Sequence, residues 1–339
     1  MNLKKGISLL LGSALLIGMM AGCTNETAPS ESPSTAPVGA YTAGTYTGTA
    51  DGNNGPVTVE VTVSDTAITS VVVTEQTETE SIATPALERI PQAIVDNQSL
   101  GIDAVTGATN TSNAILTAVA AAITEAGGDV EALKQVPVQV EEGETAGDMT
   151  ADVVVIGAGG AGLCAAIEAK DQGAGTVILL EKMASIGGTT FTSQGVIGAY
   201  GSDLQKEMGI ELTFEEMYDN LMSNASYHLD PALTTITLEK SGETINWLAD
   251  RVGMNFTDVK VGYGPLQMMH QVEGAGAGMA EPFSKSLDDA GVELMLETKA
   301  TELVMNADGS VGGVKAVKGG SEFTITAKSV VICTGGYAY

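Results

Sequence analysis

Asp152-Val153-Val154-Val155-Ile156-Gly157-Ala158-Gly159-Gly160-Ala161-Gly162 runs a block of branched apolar residues straight into Gly-x-Gly-x-x-Gly. Such a block reads as a strand buried on both faces. Each glycine has its own task. Gly157 allows a tight turn, Gly159 keeps a side chain out of the way of a pyrophosphate, and Gly162 lets a helix pack closely on the strand. A small-residue helical pattern follows over 163–171, and its N-terminus offers free N–H groups to phosphates. A second apolar strand, 176–180, ends at Glu181. That carboxylate stands about 20 residues past the last glycine, where the ribose hydroxyls of an adenine dinucleotide need an acceptor. Strand, glycines, helix, strand and acid in this order are a far stronger signal than the glycines alone.

The chain has 339 residues, enough for two or three domains, and 44% hydrophobic content supports real cores. Its 42 acidic and 15 basic residues give a formal charge of −27. With no basic stripe to neutralise phosphates, nucleic acid is excluded as a partner. Three cysteines and two histidines show no Cys-x-x-Cys-His and no zinc spacing, so neither covalent haem nor a metal site is expected. Cys23, Cys164 and Cys333 stand so far apart in sequence that a disulfide framework is not expected.

Residues 1–23 read as an export signal. Lys4 and Lys5 precede an apolar run that is short for a membrane span, and Ala21 and Gly22 precede Cys23. Met-Ala-Gly-Cys resembles the lipobox of bacterial lipoproteins, with Met20 where leucine is usual. The resemblance implies a lipidated Cys23 and an exported protein anchored on the outer face of the cell membrane. Residues 24–39, rich in Ser, Thr, Pro and Glu, read as a disordered tether. Residues 40–126 read as a small α+β domain. Strands at 57–63 and 68–74 flank a turn at Ser64-Asp65-Thr66-Ala67, and helices are predicted at 85–97 and 114–126. Thr109, Thr111 and Ser112 stand where hydroxyls would cap the second helix. Residues 127–149 read as an interdomain linker, and 150–339 as a second domain.

Two resemblances sharpen this reading. Asp103-Ala104-Val105-Thr106-Gly107-Ala108-Thr109-Asn110-Thr111 is similar to the flavinylation motif of FMN-binding domains in sodium-pumping quinone reductase and electron-transport complex subunits. The segments at 44–48 and 55–59 also resemble that domain. The resemblance implies covalent FMN, held by a phosphoester to Thr111 and installed by a flavin transferase that acts on exported domains.

From residue 151 the chain resembles the flavoprotein subunits of the fumarate reductase and succinate dehydrogenase group, with soluble fumarate and urocanate reductases nearest in layout. The whole is then α/β: the FMN-binding domain followed by an incomplete Rossmann-like FAD-binding domain. The resemblance implies FAD contacts at Gly157, Gly159, Ala161, Gly162, Glu181 and Lys182. It implies more at Gly188, Thr189, Thr190, Gln194 and Gly195, at Ala300 and Thr301 for the adenine, and at Thr334, Gly335 and Gly336. The strand at 329–333 should return beside the first. His270 is expected to be structural or to touch the cofactor, His228 to lie at the surface, and Trp247 to sit in the core. Further strands are predicted at 294–298, 302–306 and 311–317.

Reducing an activated C=C bond takes a hydride source, a proton donor and carboxylate clamps. In the resembling reductases arginine donates the proton, from sequence beyond the Thr-Gly-Gly strand. This chain has only Arg89 and Arg251, neither in a family motif. It is therefore expected to be a fragment, and no catalytic residue is named. Electrons would pass from an external donor, which the sequence does not specify, through FMN and FAD to a small unsaturated carboxylate such as fumarate or urocanate. Two alternatives stay open: an FAD dehydrogenase of the ketosteroid type, and a non-catalytic flavin electron carrier.

Overall fold

Alternating valines set the first layer. Val57, Val59, Val61 and Val63 are all buried on one face of β2 (Pro56–Val63), while Thr58, Glu60 and Thr62 face outward. Each such valine contributes about 1.5–3 kcal/mol on burial. In the computed structural model, which describes residues 40–138, 146–262 and 266–336, β2 lies between β1 (Gly44–Asp51) and β3 (Ile68–Glu75) in an antiparallel sheet. The export signal, Cys23 and the tether lie outside the described residues.

Two helices cover that sheet. The first, α1 (Glu80–Asn97), starts before the predicted residue 85 and carries Pro85 and Pro91 in its interior. Each proline deletes a ladder bond. Burial of Ala83, Ala86, Ile90 and Ile94 on the core side offsets that loss. The second, α2 (Thr109–Glu125), also starts early, and so its hydroxyls sit inside the first turn rather than at the cap. Its N-cap is Ala108, with no side-chain bond. The predicted linker holds a short helix, α3 (Val130–Lys134), whose Leu133 is buried in the same core. Ser99 Oγ donates to the carbonyls of Leu133 and Val136, which ties this segment down. Five residues are too few to show a helical period.

The second half is built on β4 (Met149–Ile156), α4 (Gly160–Asp171) and β5 (Val177–Leu180). It continues with α5 (Gly188–Phe191), β6 (Val196–Gly198), α6 (Asp203–Glu207), α7 (Phe214–Asn224) and α8 (Pro231–Trp247). A π-turn, Leu248–Val252, ends α8 and leads to β7 (Phe256–Val261) and β8 (Gln267–Val272). Last come α9 (Ala280–Ala290), β9 (Glu293–Met295), β10 (Lys299–Met305), β11 (Val311–Lys318) and β12 (Ser321–Ile332).

The main sheet has the order β10-β11-β12-β4-β5-β9. Around β4 the strands are parallel, as a doubly covered sheet requires. Val155 joins Leu163, Ile167, Phe283 and Leu287 on one face. Val154 joins Ile178, Val314, Phe323 and Ile325 on the other. The valine block is thus buried from both sides, and β12 pairs Ser329–Ile332 against Val153–Ile156 as expected. A third sheet, β6-β8-β7, stands apart from it. The sequence reading missed these three strands because β6 has only three residues, β8 is rich in Met and Gln, and β7 (Phe-Thr-Asp-Val-Lys-Val) is short and half polar.

The two halves meet directly. Ala184 N donates to Thr106 O at 3.4 Å, and the Ala184 side chain is buried in the first-half core. A Cβ placed on Gly107 would come within 2.9 Å of Met183 Cε.

Candidate functional site

The glycine loop is shaped by what surrounds it. Gly157 has φ +99°, and a Cβ there would stand 2.5 Å from Cys333 O. A Cβ on Gly162 would stand 1.8 Å from Gly157 O. At Gly159 a Cβ would meet nothing closer than Gly187 O at 3.9 Å. The first two glycines are therefore demanded by the protein's own packing. Gly159 leaves open space at a helix N-terminus to which it brings no side chain of its own, and an anion fits such a place. Ala161, on the first turn of α4, adds only a methyl group.

Glu181, 8% exposed at the end of β5, closes one side. Its Oε2 accepts from Ala158 N at 2.8 Å and its Oε1 from Met183 N at 2.9 Å. The sequence reading leaves this carboxylate to a ribose. In the fold it also holds the glycine loop, because a buried carboxylate needs donors. Lys182 next to it is exposed. Thr298 N donates to Glu181 O at 2.8 Å, which brings the start of β10 alongside. Ala300 pairs with Ala316 in the sheet, and Thr301, at a bulge, donates to Lys315 O.

The segment after Gly187 folds against the loop. Gly187 N donates to Ala158 O at 2.7 Å, and Gly160 N donates to Thr190 Oγ1 at 3.1 Å. A Cβ on Gly188 would lie 3.6 Å from Gly159 Cα. Thr189, Thr190 and Ser193 help line a mainly apolar cavity of about 410 Å³ with Cys164, Leu248 and Phe283. The Gln194 carbonyl accepts from Gln271 Nε2, and the Gly195 carbonyl from Val272 N. Cys333 N donates to Ile156 O, so Thr334, Gly335 and Gly336 leave the sheet directly below Gly157.

His270 is completely buried on β8. Its Nδ1 faces the carbonyls of Met268 and Ile197 at 3.2 and 3.3 Å, so that nitrogen carries the proton. Nε2 then accepts from Ser202 Oγ at 2.7 Å. Burial holds the imidazole below its usual pKa, and these carbonyls only partly offset it. Its role here is structural. His228 is exposed, and Trp247 packs half-buried on the second core. Both arginines sit in ion pairs, Arg89 with Glu297 and Arg251 with Asp171. Cys164 and Cys333 are free thiols that the fold brings near each other, despite their distance in sequence.

A second cavity, about 250 Å³, is lined by Asn53, Glu78, Gly107, Thr109, Thr111 and, from the second half, Thr192. Thr111 is 4% exposed, and its hydroxyl donates to Glu78 Oε2. Glu78 Oε1 accepts from Asn54 N at 2.8 Å. The sequence reading missed Glu78. It lies in an acidic, Thr-rich run, and no spacing rule ties it to a residue 33 positions on.

Residues 152–339, more than half the chain, match the family described as FAD binding domain. The chain belongs to that family. Residues 52–124 match the FMN-binding domain, so both flavins are the protein's cofactors. Urocanate reductase from Eggerthella lenta is 32% identical over 96% of this chain, which spans 54% of that relative's length. A flavocytochrome c3 fumarate reductase in its open conformation matches 56% of this chain and 34% of its own, with TM-score 0.52 and 31% identity. The 3-ketosteroid-delta4-(5alpha)-dehydrogenase of Rhodococcus jostii RHA1 matches 55% of this chain and 46% of its own, with TM-score 0.50 and 28% identity. The FAD fold is thus common to enzymes of more than one reaction.

Proposed function

We propose that this protein is an exported, lipid-anchored flavoprotein reductase. It takes electrons from an external donor onto FMN joined to Thr111 by a flavin transferase. It passes them to FAD and on to the C=C bond of a small unsaturated carboxylate such as fumarate or urocanate. One observation carries the reading. Thr192 lines the Thr111 cavity, while Thr189 and Thr190 of the same short turn line the cavity beside the glycine loop. Bound FAD would supply the hydride. The chain's own residues would hold its pyrophosphate end beside Gly159, in a loop that Glu181 holds through Ala158 N. The urocanate and fumarate reductases among the relatives support the substrate class. The pattern of residues 1–23 supports export, and Cys23→Ser tests the anchor by releasing the protein from membranes.

The test is anaerobic reoxidation of the full-length, flavin-loaded protein after dithionite reduction. An unsaturated carboxylate should restore the oxidised flavin spectrum, and succinate should not. A protein that ignores every such acid but is itself reduced by a 3-ketosteroid is a dehydrogenase instead.

A further inference from the structure

We propose that Glu78 is the general base that activates Thr111 for flavin attachment, and that its position selects Thr111 among neighbouring hydroxyls. The inference rests on the reading that FMN is joined to Thr111. Three hydroxyls crowd the first turn of α2. Ser112 Oγ donates to Ala108 O at 2.9 Å and accepts from Val105 N at 3.1 Å, so it is committed to the backbone. Thr109 is exposed on the cavity wall. Thr111 is the one whose hydroxyl donates to a carboxylate. The other oxygen of that carboxylate is pinned by Asn54 N, which fixes the plane of Glu78 against the threonine. Both side chains are nearly fully buried, yet both line the cavity. A neutral hydroxyl is a weak nucleophile until an adjacent base takes its proton. A carboxylate whose second oxygen is already held is placed to do that.

The step balances without redox change. Thr111 Oγ attacks the flavin-side phosphorus of FAD presented by the transferase. The Oγ–P bond forms, the P–O bond to AMP breaks, and AMP leaves with that electron pair. The threonine proton passes to Glu78 and then to solvent. Glu78 touches the reacting oxygen, so it is a catalytic residue of attachment and not of the electron-transfer reaction.

The test presents flavin-free protein to purified transferase with magnesium and FAD, and follows intact mass with time. Wild type should gain one FMN increment, and Thr111→Val none. Glu78→Gln should react about 100-fold slower or worse, the low end of a general base's contribution. Glu78→Asp, a carboxylate drawn back by one methylene, should be at least about tenfold slower than wild type yet faster than the Gln variant. Wild-type rates in the folded Gln or Asp variants would overturn the proposal, as would an Asp variant no faster than Gln. No adduct on wild type, or an adduct that survives Thr111→Val, would instead sink the assignment of Thr111.

Discussion

Arg89 Nη1 stands 2.9 Å from each carboxylate oxygen of Glu297, a residue 208 positions away. The pair ties α1 of the first half to the turn between β9 and β10 of the second. Both side chains are about half exposed, so solvent screens the attraction. A double-mutant cycle of Arg89→Ala and Glu297→Ala should give a coupling of about 0.2–1 kcal/mol, smaller in high salt. Chemical denaturation at two salt concentrations measures it. A coupling that ignores salt would mean that the contact does not work as a solvated ion pair.

The glycines of the loop should separate by phenotype. Gly162→Ala forces a methyl group into Gly157 O, and loss of the folded second half should show in circular dichroism and solubility. Gly159→Ala meets no such atom. It should keep the wild-type Tm within a few degrees while FAD affinity falls at least about tenfold, as the methyl group occupies the anion's space. Equal FAD affinity in folded Gly159→Ala would remove that residue from the site.

His270 gives the protein a pH dependence of definite sign. Folded, its pKa lies below the usual value. Unfolded, it takes a proton near pH 6.5. Its contribution is therefore whole above about pH 6.5 and declines as the pH falls, with a slope of at most about 1.4 kcal/mol per unit. The difference in unfolding free energy between wild type and His270→Gln should be constant above pH 7 and shrink on acidification. Parallel curves down to pH 5 would show that the imidazole titrates normally.

Thiol chemistry offers a further check on the packing behind the loop. Burial pushes Cys164 up to about 11, and Cys333 rises for the same reason. At pH 8, alkylation of Cys164 in the folded protein should run about 100-fold slower than in denaturant. Peptide mapping should find Cys333, the less enclosed thiol, modified first. Rapid labelling of Cys164 without denaturant would mean that the wall of the larger cavity opens readily.

Much of the second half was legible because its signals are local and covalently ordered. Val153–Ile156 reads as a strand wherever it falls, Gly162 is required by Gly157 O within the same turn, and Gly157 by its own φ of +99°. The strand that ends just before Glu181 was legible for the same reason. The β6-β8-β7 sheet was not, because strands such as Met268-Met269-His270 take their sides from neighbours far along the chain. The start of α2 was misplaced because Thr109, Thr111 and Ser112 have the composition of a cap. Only the tertiary position of Glu78 shows that one of them has a different partner. Leu133 and its short helix were hidden for want of length. Arg89 and Arg251 could be set aside as motif residues from the sequence, but their carboxylates could not be foreseen.

The turn from Gly188 to Thr192 has a kinetic consequence. Its residues line both cavities, so occupants of the two are tethered by a few peptide units rather than brought together by diffusion. Exchange between them is a first-order event, with an effective local concentration set by the chain. Its rate constant should therefore stay the same across any dilution of the protein.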